Sequence, residues 1–104
     1  MAVVMRIYFT ITPGKYEDAT RLMKELGDLS ARYGEPNKGR VLAGHFVSPG
    51  NPNWHWEAEF PDVAAAQAYL DRFDEMPEMA TIGPATYGVW NQQGIELYHV
   101  VELD

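Results

Sequence analysis

Two periods of apolar residues alternate along this chain, and the order in which they do so leaves few folds open. From Val3 to Thr12, Met5, Ile7, Phe9 and Ile11 fall on one side, with Arg6, Tyr8 and Thr10 on the other. That is the two-residue period of a half-buried strand. Thr12-Pro13-Gly14 breaks it. Tyr16, Ala19, Leu22, Met23, Leu26, Leu29 and Tyr33 then recur at steps of three and four through a charged background, which predicts an amphipathic helix ending near Gly34. Arg40–Ser48 reads as a second strand, but Val41, Leu42, Ala43, Phe46 and Val47 make it apolar on both sides, so its facing stays open.

The turn formers of Ser48–Asn53 lead into a third strand, Trp54–Phe60. It sets Trp54, Trp56, Ala58 and Phe60 against His55, Glu57 and Glu59. Pro61-Asp62 supplies a helix start with Asp62 as cap, and Val63, Ala66, Tyr69, Leu70, Phe73 and Met76 form the buried stripe of a second helix. Pro77 interrupts it, and the less regular stretch 79–90 has room for another short helical turn. Gly94–Leu103 closes as a fourth strand, with Ile95, Leu97, His99, Val101 and Leu103 alternating against Glu96, Tyr98, Val100 and Glu102. The order βαββαβ predicts an α+β, ferredoxin-like single domain over 1–104: a four-stranded antiparallel sheet with two helices on one face.

Composition narrows the function classes. At 104 residues, 46% of them hydrophobic, one modest core is feasible. With no cysteine in the sequence, disulfides and thiolate metal sites are excluded. A net charge of −7 repels phosphate backbones and anionic lipid, so neither nucleic acid nor membrane is expected as a partner. Arg6 splits the first apolar run, so no signal peptide is read there, and a cytoplasmic location is expected.

The sheet's uncovered side would carry Arg6, Tyr8, Thr10, His55, Glu57, Glu59, Tyr98 and Val100, a mixture of aromatics and opposite charges in which Arg6 can meet Glu57 or Glu59. A wet face with a few exposed apolar groups is the plainer reading. Three segments resemble the dimeric α/β-barrel superfamily, in particular its NIPSNAP-like and antibiotic-biosynthesis-monooxygenase-like branches. They are Ile11-Thr12-Pro13-Gly14-Lys15, the run Trp56-Glu57-Ala58-Glu59-Phe60-Pro61-Asp62-Val63-Ala64-Ala65, and the closing Glu96-Leu97-Tyr98-His99-Val100-Val101-Glu102. The resemblance implies a homodimer in which two sheets face each other as a dimeric α/β barrel. It also implies a ligand cavity between each sheet and its own helices.

Such a cavity is expected to take a small hydrophobic or aromatic ligand. The resemblance implies a cofactor-independent monooxygenase or polyketide cyclase, and, as the alternative, a non-catalytic NIPSNAP-like binding or stress-associated domain. On the helix-facing side, His99 is the ionisable member of an apolar row, expected to be buried, neutral and able to take a proton, with Tyr69 or His45 assisting. Phe9, Trp54, Trp56, Phe73 and Met23 suit a flat substrate, although the same residues make an ordinary core and His99 an ordinary satisfied histidine. The row His55, Glu57, Glu59 has the residue types of a metal site. It lies on one strand, however, where an interfacial charge row fits better, and no metal is expected. No histidine lies between Phe60 and Tyr98 to hold haem iron, and no cofactor is expected. Gly27, inside the first helix, serves either close packing or ligand room.

Overall fold

Val3–Ile11, the cleanest alternation in the chain, forms a central strand in the computed structural model, which describes residues 1–35 and 39–103. The elements are β1 (Val3–Ile11), α1 (Tyr16–Arg32), β2 (Arg40–Ala43), β3 (Trp54–Phe60), α2 (Val63–Glu75), α3 (Met79–Ala85) and β4 (Trp90–His99). The sheet runs β2-β3-β1-β4, antiparallel throughout. The expected ferredoxin-like order is therefore present, with one short helix added before the last strand.

Local chemistry explains the helix limits. Glu17 and Asp18 in the first turn of α1 and Arg32 in its last oppose the helix dipole. Gly34, at φ +80°, takes the left-handed turn that ends the helix, and Glu35 N–H donates back to Ser30 O at 3.1 Å. Asp62 caps α2 as its sequence position predicts, accepting from Ala65 N at 2.8 Å. Pro84 denies α3 a backbone donor, and that helix stays short.

Two strands differ from their sequence limits, each for a physical reason. β4 begins at Trp90 rather than Gly94 because its register against β1 shifts between Tyr8 and Phe9: Tyr8 pairs with Gly94 and Phe9 with Gln92. The extra residue, Gln93, inverts the alternation, so Trp90 and Gln92 face the helices although their parity is opposite to that of Ile95. At the other end the strand stops at His99, opposite Val3, where its partner strand begins. A bond from Val100 N to Ala2 O is the last step, and residues 101–103 have no strand to join. β2 ends at Ala43, not Ser48. Its pairing Val41↔Trp56 and Leu42↔His55 sends Val41 to the helix side and Leu42 to the open side.

The helices cover the sheet unevenly. Under α2, Val3, Met5, Ala58, Phe60, Ala66 and Tyr69 form one buried cluster, while Phe9, Ile11, Ala19, Leu22 and Val89 form a second around α1. Between them, Ile7 and Trp56 are only partly buried. The core thus closes at both ends and stays open in the middle.

Candidate functional site

The opening between the two clusters is a cavity of about 680 Å³ with the sheet as its floor and all three helices around it. That is within the usual range for small-molecule sites. Strand register places its floor: Ile7 and Phe9 on β1, Trp56 on β3, and Gln92 and Ile95 on β4 share the helix-facing side. On α2, Tyr69, Leu70 and Phe73 complete an apolar wall. Tyr69 organises that wall. Its ring lies parallel to Trp56 at 5.6 Å and 6°, and meets Phe73 edge-on at 5.1 Å. Trp90 meets Phe9 in the same edge-on way at 5.2 Å. Flat faces and edges so arranged give an apolar slot with defined ring orientations.

Polar groups are fewer and sit mostly on the helices, with Arg40 and Gln92 contributed by β2 and β4. Burial pushes the Tyr69 phenol up; the Ser30 hydroxyl beside it opposes the shift, and Glu35 adds to it. Ser30 Oγ is itself buried without a hydrogen bond that meets ordinary geometry, so its contact with Tyr69 is a loose one. At neutral pH Tyr69 therefore remains a protonated donor rather than a base. Lys24 on α1 and Asp71 and Asp74 on α2 line the cavity as exposed side chains, and Gln67 Nε2 donates to Asp71 Oδ1 at 3.0 Å.

Of the residues singled out in the sequence, Phe9, Trp56, Tyr69, Phe73 and Met23 line this one cavity. The others lie elsewhere. Trp54 packs against the α1 cluster with its ring 6.2 Å from Tyr16. His45 is exposed just past the end of β2. His99 shares the helix-facing side with Val3, but sits at the tip of an edge strand that the helices do not reach, and it is exposed. The expectation of a buried His99 is corrected on that ground. Sequence reasoning also missed Trp90 and Gln92, which the bulge brings in, and Gly39, whose approach to Trp56 carries no periodic signal. A Cβ on Gly39 would lie 2.4 Å from the indole, and its φ is +65°.

The open side of the sheet is organised by charge. Glu57, nearly buried, accepts from Arg6 Nε at 2.7 Å and from Arg40 Nε and NH2 at 2.8 and 2.5 Å. Arg40 above all, and then Arg6, hold its carboxyl below the usual range against the opposing effect of burial. The Arg6 guanidinium also lies over the Tyr98 ring at 5.3 Å, and the Tyr98 hydroxyl donates to Glu96 and approaches Tyr8 Oη at 3.3 Å. Glu96, followed by Tyr8, raises the Tyr98 phenol. His55 Nε2 is buried without a hydrogen-bond partner, 4.0 Å from Glu57 Oε2. The His55, Glu57, Glu59 row is thus an ion-pair face in which the arginines already occupy Glu57. Among the described residues no cluster of three metal-ligating side chains forms, and no helix is long and apolar enough to cross a membrane.

Solved structures of this architecture cover nearly the whole chain. A dimeric ferredoxin-like protein of unknown function from Thermobifida fusca superposes with a TM-score of 0.65 at 14% identity, covering 96% of this chain and 92% of that one. The fold is ferredoxin-like. Within it, SnoaB, a cofactor-independent oxygenase from Streptomyces nogalater, matches with a TM-score of 0.63 at 14% identity over 98% and 95% of the two chains. A NIPSNAP family protein from Agrobacterium tumefaciens matches with a TM-score of 0.66 at 12% identity over 99% and 88%. No family model and no curated protein sequence matches the chain. One ferredoxin-like frame therefore accommodates both the oxygenase and the NIPSNAP structures.

Proposed function

We propose that this chain pairs with a second copy through the open side of its sheet, and holds a flat aromatic or polyketide-like molecule between sheet and helices, acting on it without a cofactor by oxygenation with dioxygen or by cyclisation. The observation that carries this reading is the slot itself: about 680 Å³, with the parallel, stacked rings of Trp56 and Tyr69 along one side. Such a wall favours a planar ring over a flexible chain of equal area, because stacking adds to simple burial. Tyr69, held protonated, donates a hydrogen bond to a ligand oxygen and stabilises negative charge that develops there. The match in fold to a cofactor-independent oxygenase supports the chemistry, and the fold neighbours described as dimeric support the pairing.

A non-catalytic, NIPSNAP-like binding role is the second reading, favoured by the placement of the histidines. His45 and His99 stand off the lining, so the cavity walls lack an imidazole base. Incubation with naphthol- and anthraquinone-type phenols separates the two. Quenching of tryptophan fluorescence together with product formation supports the enzyme, and quenching alone supports the binding domain. Neither signal with any compound overturns the site. Sedimentation at twice the 11.8 kDa chain mass supports the pairing, and a monomer at micromolar concentration removes it.

A further inference from the structure

Gly27 and Gly83 stand inside helices, where glycine is the costliest residue other than proline. Helices accept it for two main reasons: a neighbouring group must come close, or a space must stay empty. The chain shows the first kind of crowding elsewhere, since a Cβ at Gly39 would strike Trp56 and one at Gly44 would lie 2.2 Å from Val47. At Gly27 and Gly83 an added Cβ would meet no atom within 4 Å. Close approach is therefore not the reason at either position.

Both glycines lie on the wall of the cavity. On α1, Met23, Lys24, Leu26 and Gly27 form the lining arc, with Gly27 one turn after Met23 and exposed where the cavity opens to solvent. On α3, Met79, Gly83 and Thr86 share one side, and Gly83 is half-buried yet has empty surroundings, so the void it faces is the cavity and not bulk water. Gly83 has a second use, because a Cβ preceding Pro84 would strain the helix. Gly27 has none.

We propose that Gly27, with Gly83 opposite the sheet on α3, determines the size of ligand the cavity accepts: the bulk of a multi-ring molecule occupies the volume that their missing side chains leave. This rests on the reading that the cavity holds a flat aromatic ligand, and it adds which residues select among such ligands. A leucine at Gly27 would project into the slot from α1 and shorten it. It would at the same time favour the helix, so the variant gains stability as it loses ligand range.

The test is titration of Gly27→Leu with naphthol as the small probe and hydroxyanthraquinone as the large one, read by tryptophan fluorescence, with thermal unfolding followed in parallel. Ala31→Leu, exposed on the same helix but off the lining, is the control. Wild-type protein and the control should bind both probes. Gly27→Leu should keep naphthol affinity within about threefold, lose hydroxyanthraquinone by tenfold or more (about 1.4 kcal/mol), and unfold at the same or a higher temperature. Gly83→Leu combined with Pro84→Ala should show the same selectivity without the pre-proline strain. Equal loss of both probes, or of neither, in a folded Gly27→Leu overturns the size-selecting role while leaving the cavity reading intact. A wild type that binds no probe overturns both.

Discussion

On the helix side of β3, Trp56 stacks on Tyr69 beside a cavity of about 680 Å³; on the other side of the same strand the next residue, Glu57, is gripped by two arginines. Adjacent residues thus serve opposite kinds of surface. The helix side is apolar, shaped by ring edges and faces, and left open where two packed clusters fail to meet. The open side is organised around the ion pairs of Glu57 with Arg6 and Arg40, with aromatic and aliphatic surface at Tyr8, Tyr98 and Leu42 beside them. A concave apolar slot suits a small molecule, and a sheet face with ion pairs beside exposed aromatic and aliphatic groups suits a second protein surface. The alternation of one strand thus divides two kinds of surface between its faces.

Removing Trp56 should have the largest effect, and on one side alone. Trp56→Ala takes away a cavity wall and the stacking partner of Tyr69; because the indole is only partly buried, the loss should fall at the low end of tryptophan truncations, about 3 kcal/mol. Chemical denaturation would measure that, and fluorescence titration of any bound phenol, followed on the remaining tryptophans, should show affinity lost by about tenfold or more. Sedimentation of the folded variant should be unchanged. A dimer that dissociates with Trp56 would show that the two faces are not independent.

Glu57→Gln probes the opposite face. Its arginines keep 39% and 69% of their side chains in water, so the loss should be about 1–2 kcal/mol, below the 3–5 of a fully buried pair. Here the dimer should weaken while ligand affinity holds. The folded-state pKa of Glu57 is depressed, so its contribution is fully present above the unfolded glutamate value and disappears as pH falls through the lower folded value. Wild-type stability should therefore decline in the acidic range more steeply than that of Glu57→Gln. Parallel acid titrations of the two proteins that superimpose would remove the pairing from the energetics.

Much of this division was legible in the sequence, because alternation assigns faces wherever a strand is regular. β1 and β3 put Phe9 and Trp56 on one side and Arg6 and Glu57 on the other, as their parity requires. Asp62 likewise announces α2 through a local preference that tertiary context does not disturb. A capping aspartate has one job, and Asp62→Ala should cost about 1 kcal/mol, a fall of about 4–8 °C in Tm, with both faces left working. What could not be read was set by contacts with no period. The bulge at Gln93 inverts the parity of β4, which hides Trp90 and Gln92 from any alternating pattern. The facing of β2 depends on its register with Trp56 and His55, and not on Val41 and Leu42, which are apolar alike.

His99 shows the same limit, and should give the smallest effect of all. Its alternation with Ile95 and Leu97 correctly assigns it to the helix-facing side, because Val3 stands directly opposite. Parity fixes a side of the sheet but says nothing of how far the helices extend over it. β4 is an edge strand, and Leu97 and Ile95 each keep 43% of their surface exposed on the approach to His99. An imidazole there meets water, away from the Trp56 wall, and is poorly placed to take a proton from a molecule in the cavity. His99→Ala should therefore change stability by less than about 0.5 kcal/mol, as exposed substitutions do. It should also leave both ligand affinity and any phenol turnover at wild-type levels, whereas Tyr69→Phe, which keeps the ring and removes the donor, should lower turnover with little change in stacking. Turnover that falls with His99→Ala in a folded dimer, and survives Tyr69→Phe, would move the reacting group from the slot to the β4 edge.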